Sequence, residues 1–392
     1  MKRPITHTIR HLSSALLLIG GILCSQNLWA CEQPEVHRYG FVRCLSDGLS
    51  GVILPNNQWG FIDRTGELVA TDYDSVWDFN DGLAMVMKDG KYGFIDTTGQ
   101  IAIQLKYDWA NSFSEGLAVV VQNDRYGFID KTGQVVIPLK YDGAYPFSEG
   151  LASVEKNDKR GFIDKTDKVI IPLTFKRTYN FSEGLAGVYQ NGKWGFVDKT
   201  GRIVIPLQYH DVSSFSEGLA YVEQEDEWGF IDKSGKLLIP LAEYYHTVYP
   251  FNDGLAIVMK SDKTGLIDKY GKVIAPLQYD YIEPFDDDLT RVEQDGKVGF
   301  LDKSGKVVIP LQYDDAWYFS EGLAAVKQNG KYGFINQTGQ IIIPLQYDDA
   351  YPFYNDVAVV SDSSTGESFY INKQGERQYQ LGKPIFSSVG NQ

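Results

Sequence analysis

Acidic side chains recur along this chain at spacings that invite chemistry. Asp63, Asp96, Asp130, Asp164, Asp198, Asp232, Asp268 and Asp302 recur in this way, and all but Asp164 stand three residues ahead of a glycine. A ladder of carboxylates could hold calcium, which takes about six to eight oxygen ligands per ion. A simpler chemistry is local, because an Asp in front of a turn accepts backbone N–H bonds inside that turn. Asn336 occupies the same place in a later copy, and an amide suits the turn where a hard cation would prefer charge. The spacing also lacks the dense oxygen ligands of calcium loops, so the expectation is a structural turn.

A second acidic set sits in a Glu-Gly-Leu-Ala phrase: Glu115, Glu149, Glu183, Glu217 and Glu321, with Asp81 and Asp253 as variants. Glycoside hydrolysis needs two carboxylates in unlike environments at a fixed separation. One near-equivalent acid per repeat reads as a structural device or a solvated face. Past residue 30 the histidines are His37, His210 and His246, and no H-E-x-x-H, G-x-S-x-G or phosphate-cradling glycine loop accompanies them. Metal-ligand spacing is also absent. The expectation is a chain with no catalytic residues, no metal and no cofactor.

Aromatic residues are better candidates. Phe79, Phe113, Phe147, Phe181, Phe215, Phe251, Phe285, Phe319 and Phe353 never vary and read as core. Two residues before each stands a freer row: Trp77, Asn111, Tyr145, Tyr179, Ser213, Tyr249, Glu283, Trp317 and Tyr351. A position that accepts Asn, Ser and Glu is not deep core in every copy. Trp77, Tyr145, Tyr179, Tyr249, Trp317 and Tyr351 are therefore expected to be partly exposed, as platforms for sugar rings or protein hot spots. The plainer alternative is that they pack against the neighbouring unit's loop.

The elements that must position these rows come from one returning phrase. Its glycines are Gly60, Gly93, Gly127, Gly161, Gly195, Gly229, Gly265, Gly299 and Gly333, at intervals of 33 to 36 residues. Such a period marks a repeat architecture whose units lean on their neighbours. In the copy from Tyr126 to Lys159, Tyr126 to Asp130 and Gln134 to Ile137 flank a Lys-Thr-Gly turn and read as a β-hairpin. Pro138 closes the second strand, and Leu151 to Val154 is a third. Residues such as Phe128 and Ile129 must point to opposite faces, so each sheet needs cover on both sides. The chain is expected to be all-β, with tandem repeats of about 34 residues and three short strands each. Propeller blades usually have four strands in longer units and close at about four to eight blades. An open, twisted β-solenoid-like array is therefore expected, with a closed propeller-like ring as the alternative.

Four segments follow. Residues 1–30 have the anatomy of a secretory signal, with Lys2, Arg3 and Arg10, the apolar run Ala15 to Leu23, and Leu28-Trp29-Ala30. Residues 31–57 are a lead-in with a partial repeat, 58–375 the array of nine full units and a degenerate one, and 376–392 a tail. No segment is apolar for long enough to span a bilayer. Cys31 and Cys44 would form a disulfide in an oxidising compartment; the alternative is a lipoprotein anchored through Cys31. Location is then periplasmic or secreted. Formal charge is −14, and losing the three cationic residues of the signal takes it to −17. An acidic surface with no basic stripe argues against nucleic acid.

The phrase Lys193-Trp194-Gly195-Phe196-Val197-Asp198-Lys199-Thr200-Gly201, with Ile203 to Pro206 and Phe215 to Ala220 behind it, resembles the bacterial WG-repeat family. The named Trp is kept at Trp59, Trp194 and Trp228, becomes Tyr at Tyr92, Tyr126 and Tyr332, and is lost at Arg160, Thr264 and Val298. The resemblance implies a β-rich repeat array with no agreed catalytic site. A non-catalytic extracytoplasmic scaffold that binds a protein partner in the cell envelope is expected. Glycan or peptidoglycan binding through the aromatic row is the alternative.

Overall fold

The computed structural model of the chain describes residues 41–378, apart from 55, 226, 242–246, 286–287 and 355. The expected signal, Cys31 of the expected disulfide, His37, His246 and the end of the tail lie outside the described residues. Among the described residues every regular element is a β-strand, grouped in ten antiparallel sheets that follow one another along the chain. These sheets are the blades of a β-propeller. The all-β repeat reading holds, and the closed-ring alternative replaces the open array.

The strand count also changes, and the reason is local. Blade 3 consists of Trp109–Ala110, Leu117–Gln122, Arg125–Asp130 and Val135–Tyr141, each antiparallel to the next. Its first strand has two residues, too few for any hydrophobic period to announce it. Nine sheets have four strands built this way, and the tenth has three. A four-stranded blade thus fits into about 34 residues, because its first strand needs only two.

The sequence repeat and the blade are out of phase. In the copy from Tyr126 to Lys159, the hairpin of Arg125–Asp130 and Val135–Tyr141 closes blade 3, whereas Gly143–Ala144 and Ala152–Lys156 open blade 4. Each repeat therefore stitches two blades together. Phe41–Val42 and Leu49–Ile53, read as a lead-in, supply the first half of blade 1. Nine repeats with a half-unit before and a degenerate strand after make ten blades.

The core lies between blades. Phe128 of blade 3 packs with Leu117, Val119 and Ile137 against Phe147, Ala152, Val154 and Ile163 of blade 4. Ile129, its neighbour in sequence, points the other way into the core shared with blade 2. Phe128 and Phe147 meet edge-on at 5.0 Å between ring centroids. Such pairs add about 0.5–1.5 kcal/mol beyond the area they bury.

The recurrent glycine has a steric cause. The pairing of Arg125–Asp130 with Val135–Tyr141 is irregular between Tyr126 and Phe128, and the two backbones converge there. A Cβ on Gly127 would lie 2.6 Å from the Ile137 carbonyl oxygen and 2.8 Å from the Leu139 nitrogen. No side chain fits, whatever its rotamer.

Candidate binding surface

The repeated aspartates do the work of turns. Asp130 Oδ1 accepts from Thr132 N at 2.9 Å, Thr132 Oγ1 at 2.6 Å and Gln134 N at 3.0 Å. Asn336 Oδ1 makes the same three bonds with Thr338 and Gln340. Among the described residues no three His, Cys, Asp or Glu side chains cluster as metal ligands do.

The recurrent glutamates tie one blade to the next. Glu149 (φ 53°) and Gly150 (φ 87°) form a turn of the type that needs two positive φ values. Glu115, its counterpart in blade 3, accepts from Gly150 N at 3.0 Å and meets Lys165 Nζ at 3.2 Å, both in blade 4. Glu149 repeats the arrangement with Gly184 N and Lys199 Nζ, each at 3.0 Å. Beside this, Ser114 Oγ donates to the Phe147 carbonyl at 2.8 Å. These acids are spent on assembly.

A third acidic ladder also joins neighbouring blades. Asp108, between blades 2 and 3, takes Lys91 Nζ at 2.6 Å from one blade and Asn123 N at 2.7 Å from the next. Asp314 does the same with Lys297 and Asn329. The signal was available as a Lys or Arg 17 residues before each such Asp. His210 replaces the acid once, accepting from Glu225 N at 3.2 Å with Lys193 Nζ 2.5 Å away.

These ladders predict an acid limit. The Thr132 hydroxyl, with backbone N–H groups behind it, holds Asp130 below its usual value, and Asp96, Asp164 and Asp198 behave alike. The Lys91 and Lys297 side chains depress Asp108 and Asp314. A carboxyl whose folded pKa lies below its unfolded value stabilises the fold above the unfolded value. That contribution is lost as pH falls through the folded one. The melting midpoint is expected to hold down to about pH 5 and to drop below about pH 4, near the unfolded Asp value. A midpoint unchanged between about pH 5 and pH 3 in calorimetry would dismiss these ladders as stabilising devices.

The aromatic row flanks the short first strands, and its members differ. Tyr145, Tyr179, Tyr249, Trp317 and Tyr351 are exposed, whereas Trp77 is half-buried in the core between blades 2 and 3. Three have a partner within their own blade. Trp77 meets Tyr92 at 5.7 Å, Arg160 lies 5.1 Å over Tyr145, and Tyr179 stacks flat on Trp194 at 4.6 Å. The partner always stands at the family's Trp position, so Arg160 substitutes a cation–π contact for a ring.

The row is also longer than the repeat phase suggested. Trp109 and Tyr281 are exposed at 40% and 46%, and each precedes by two residues the polar Asn111 or Glu283 of the row. A step of two returns to the same face of a strand, and Trp109 and Tyr281 each open the short first strand of their blade. From blade 2 to blade 10, every blade but the sixth presents a Trp or Tyr at this edge.

At the C-terminal end the arrangement changes. Trp317 of blade 9 stacks on Tyr351 of blade 10 at 6.1 Å and 30°, and Tyr318 meets Trp317 edge-on at 6.5 Å. The hydroxyls of Tyr318 and Tyr354 touch. Beneath, Tyr332 donates to Asp315 at 2.8 Å, and burial with that carboxylate pushes its phenol well up. Burial and Asp349 raise Tyr351, while burial, Tyr318 and then Glu321 raise Tyr354. The result is a joined aromatic surface across two blades with carboxylates among its rings.

The model of the WG containing repeat matches nine successive segments, from residues 59–92 to 332–362. No curated protein sequence matches. Among solved structures, a eukaryotic initiation factor overlays at a TM-score of 0.45 and 10% identity, covering 79% of this chain and 89% of its own. BamB from Moraxella catarrhalis overlays at 0.37 and 11%, covering 67% of this chain and 90% of its own. Overlaps this loose carry no functional meaning. Among the described residues no helix is long and apolar enough to cross a membrane.

Proposed function

We propose that this chain, which belongs to the WG-containing repeat family, is a non-catalytic scaffold acting outside the cytoplasm, with blades 9 and 10 holding a protein partner. The observation that carries this reading is the joined surface of Trp317, Tyr318, Tyr351 and Tyr354. Large rings on a rigid sheet lose little conformational freedom on binding, and Trp and Tyr dominate interface hot spots. Asp315 and Asp349 lie among them, so a partner offering Lys or Arg around an apolar anchor fits best. The basic start, the apolar run Ala15 to Leu23 and Leu28-Trp29-Ala30 support export. Trp77, Tyr145 and Tyr179 instead lean on their own blade, which leaves them less free to meet a ligand.

The double variant Trp317→Ala, Tyr351→Ala tests this. Loss of two hot-spot rings is expected to weaken partner capture from envelope extract by about tenfold or more, with the melting midpoint close to the parent's. Equal capture by both proteins would remove the surface from consideration. Pelleting of the parent with purified peptidoglycan sacculi, competed by free glycan, would replace the protein partner by a glycan.

A further inference from the structure

Of the nine interfaces between successive blades, eight carry the same Phe–Phe pair, from Phe61–Phe79 to Phe334–Phe353. The interface of blades 7 and 8 does not. Leu266 stands where the first Phe of the pair belongs, facing Phe285, and Ala275 stands where most blades have Ile. Ile282 of blade 8 enters this core where the other blades have Ala, Thr or Val, a gain smaller than the ring that is missing. A pocket of about 210 Å³ still opens here, lined by Tyr249, Leu255, Ile257, Leu266, Pro284 and Phe285. Leu255 is half-buried, whereas Leu117, Leu151, Leu185 and Leu219 at its place are buried. The space therefore reaches the surface.

A missing ring leaves a definite shape and chemistry. Close-packed interiors rarely keep such a gap, and an apolar cavity of about 150 Å³ stays dry and takes up benzene. Among the described residues no charged side chain lines the pocket. Its polar groups are the Tyr249 ring's hydroxyl and Asn252, whose Nδ2 donates to the Phe285 carbonyl at 3.4 Å. A charged ligand would be desolvated there without compensation.

We propose that this pocket binds a free, neutral, single-ring aromatic molecule of the benzyl alcohol or phenol class. Its ring lies against Phe285 in place of the absent Phe. This site is separate from the surface on blades 9 and 10 and does not depend on the function proposed for it.

The probe is benzyl alcohol, titrated into the full chain and followed by ligand-observed NMR. Saturable binding is expected to the parent, and binding at least about tenfold weaker to Leu266→Phe, which restores the ring and fills the space. That variant is also expected to melt higher. Should Leu266→Phe fail to fold, Leu255→Phe fills the same pocket from the adjacent strand and is held to the same result. Unsaturable binding to the parent, or equal binding to the filled variant, overturns the proposal. Tighter binding of N-acetylphenylalaninamide than of benzyl alcohol also overturns it, by assigning the pocket to a peptide-borne ring.

Discussion

Phe196→Ala is expected to destabilise the chain by about 3–5 kcal/mol, the cost of a Phe→Ala cavity in a close-packed core. Phe196 is fully buried and meets Phe215 of the next blade edge-on at 4.9 Å. Its cluster joins Leu185, Ile205 and Tyr209 of blade 5 to Val212, Ala220 and Val222 of blade 6. Each short sheet is only part of a core, so the ring is lost from the contact that holds two blades together. The backbone around it is tied by hydrogen bonds and cannot collapse into the gap. Urea unfolding followed by Trp fluorescence would measure the loss. The control is Val135→Ala on an outer strand, where the side chain is 44% exposed; a change within about 0.5 kcal/mol is expected there. A Phe196→Ala effect below about 1 kcal/mol would mean that the blades do not share their cores as described.

Gly127→Ala is expected to cost about 3 kcal/mol, at the upper end of overpacking penalties. The added methyl meets backbone atoms, the Ile137 oxygen at 2.6 Å and the Leu139 nitrogen at 2.8 Å. Backbone cannot turn aside as a side chain can, so the paired strands must separate. Gly150→Ala is the informative comparison. At that glycine φ is +87° and nothing lies within 4 Å of the new carbon. Only backbone strain remains, about 1–2 kcal/mol. The same substitution at two recurrent glycines therefore separates steric exclusion from conformational strain. A larger loss at Gly150 than at Gly127 in the same denaturation experiment would refute that assignment.

Much of this fold is written in the residues because the repeat states it many times. Phe128 beside Ile129 requires cover on both faces, and the cores between blades supply it. Asp130 before Thr-Gly reads as a turn, and its carboxylate makes the bonds that reading requires. Other features were hidden for physical reasons. A two-residue strand such as Trp109–Ala110 has no periodicity to read. Without it the unit looks three-stranded and closure looks foreign. The offset between repeat and blade is invisible because a tandem phrase reads equally well from any starting point. Only the pairing of Gly143–Ala144 with Ala152–Lys156 shows where a blade begins.

The candidate surface was legible in part. Five of the six named rings are exposed because tolerance of Asn, Ser and Glu at one repeat position does report access to water. Which of them are occupied by a neighbour was not legible. Tyr179 faces Trp194 and Tyr145 faces Arg160 across positions 15 residues apart, a pairing set by strand register. Trp317 instead turns to Tyr351 in the next blade, while the ring of Tyr332 carries Lys327 over its face at 5.0 Å. The missing ring at Leu266 is visible in the aligned repeats, but its consequence, an open pocket, depends on how little the neighbours move.

The most direct measurement is site-specific photocrosslinking in envelope preparations, with a benzophenone amino acid at position 351 and, as control, at position 135 on the exposed outer strand. A single defined protein adduct from position 351, absent from position 135 and lost on Trp317→Ala, is the predicted result. Identical adducts from both positions, or none from position 351 while the protein pellets with sacculi, would contradict a protein-binding surface on blades 9 and 10.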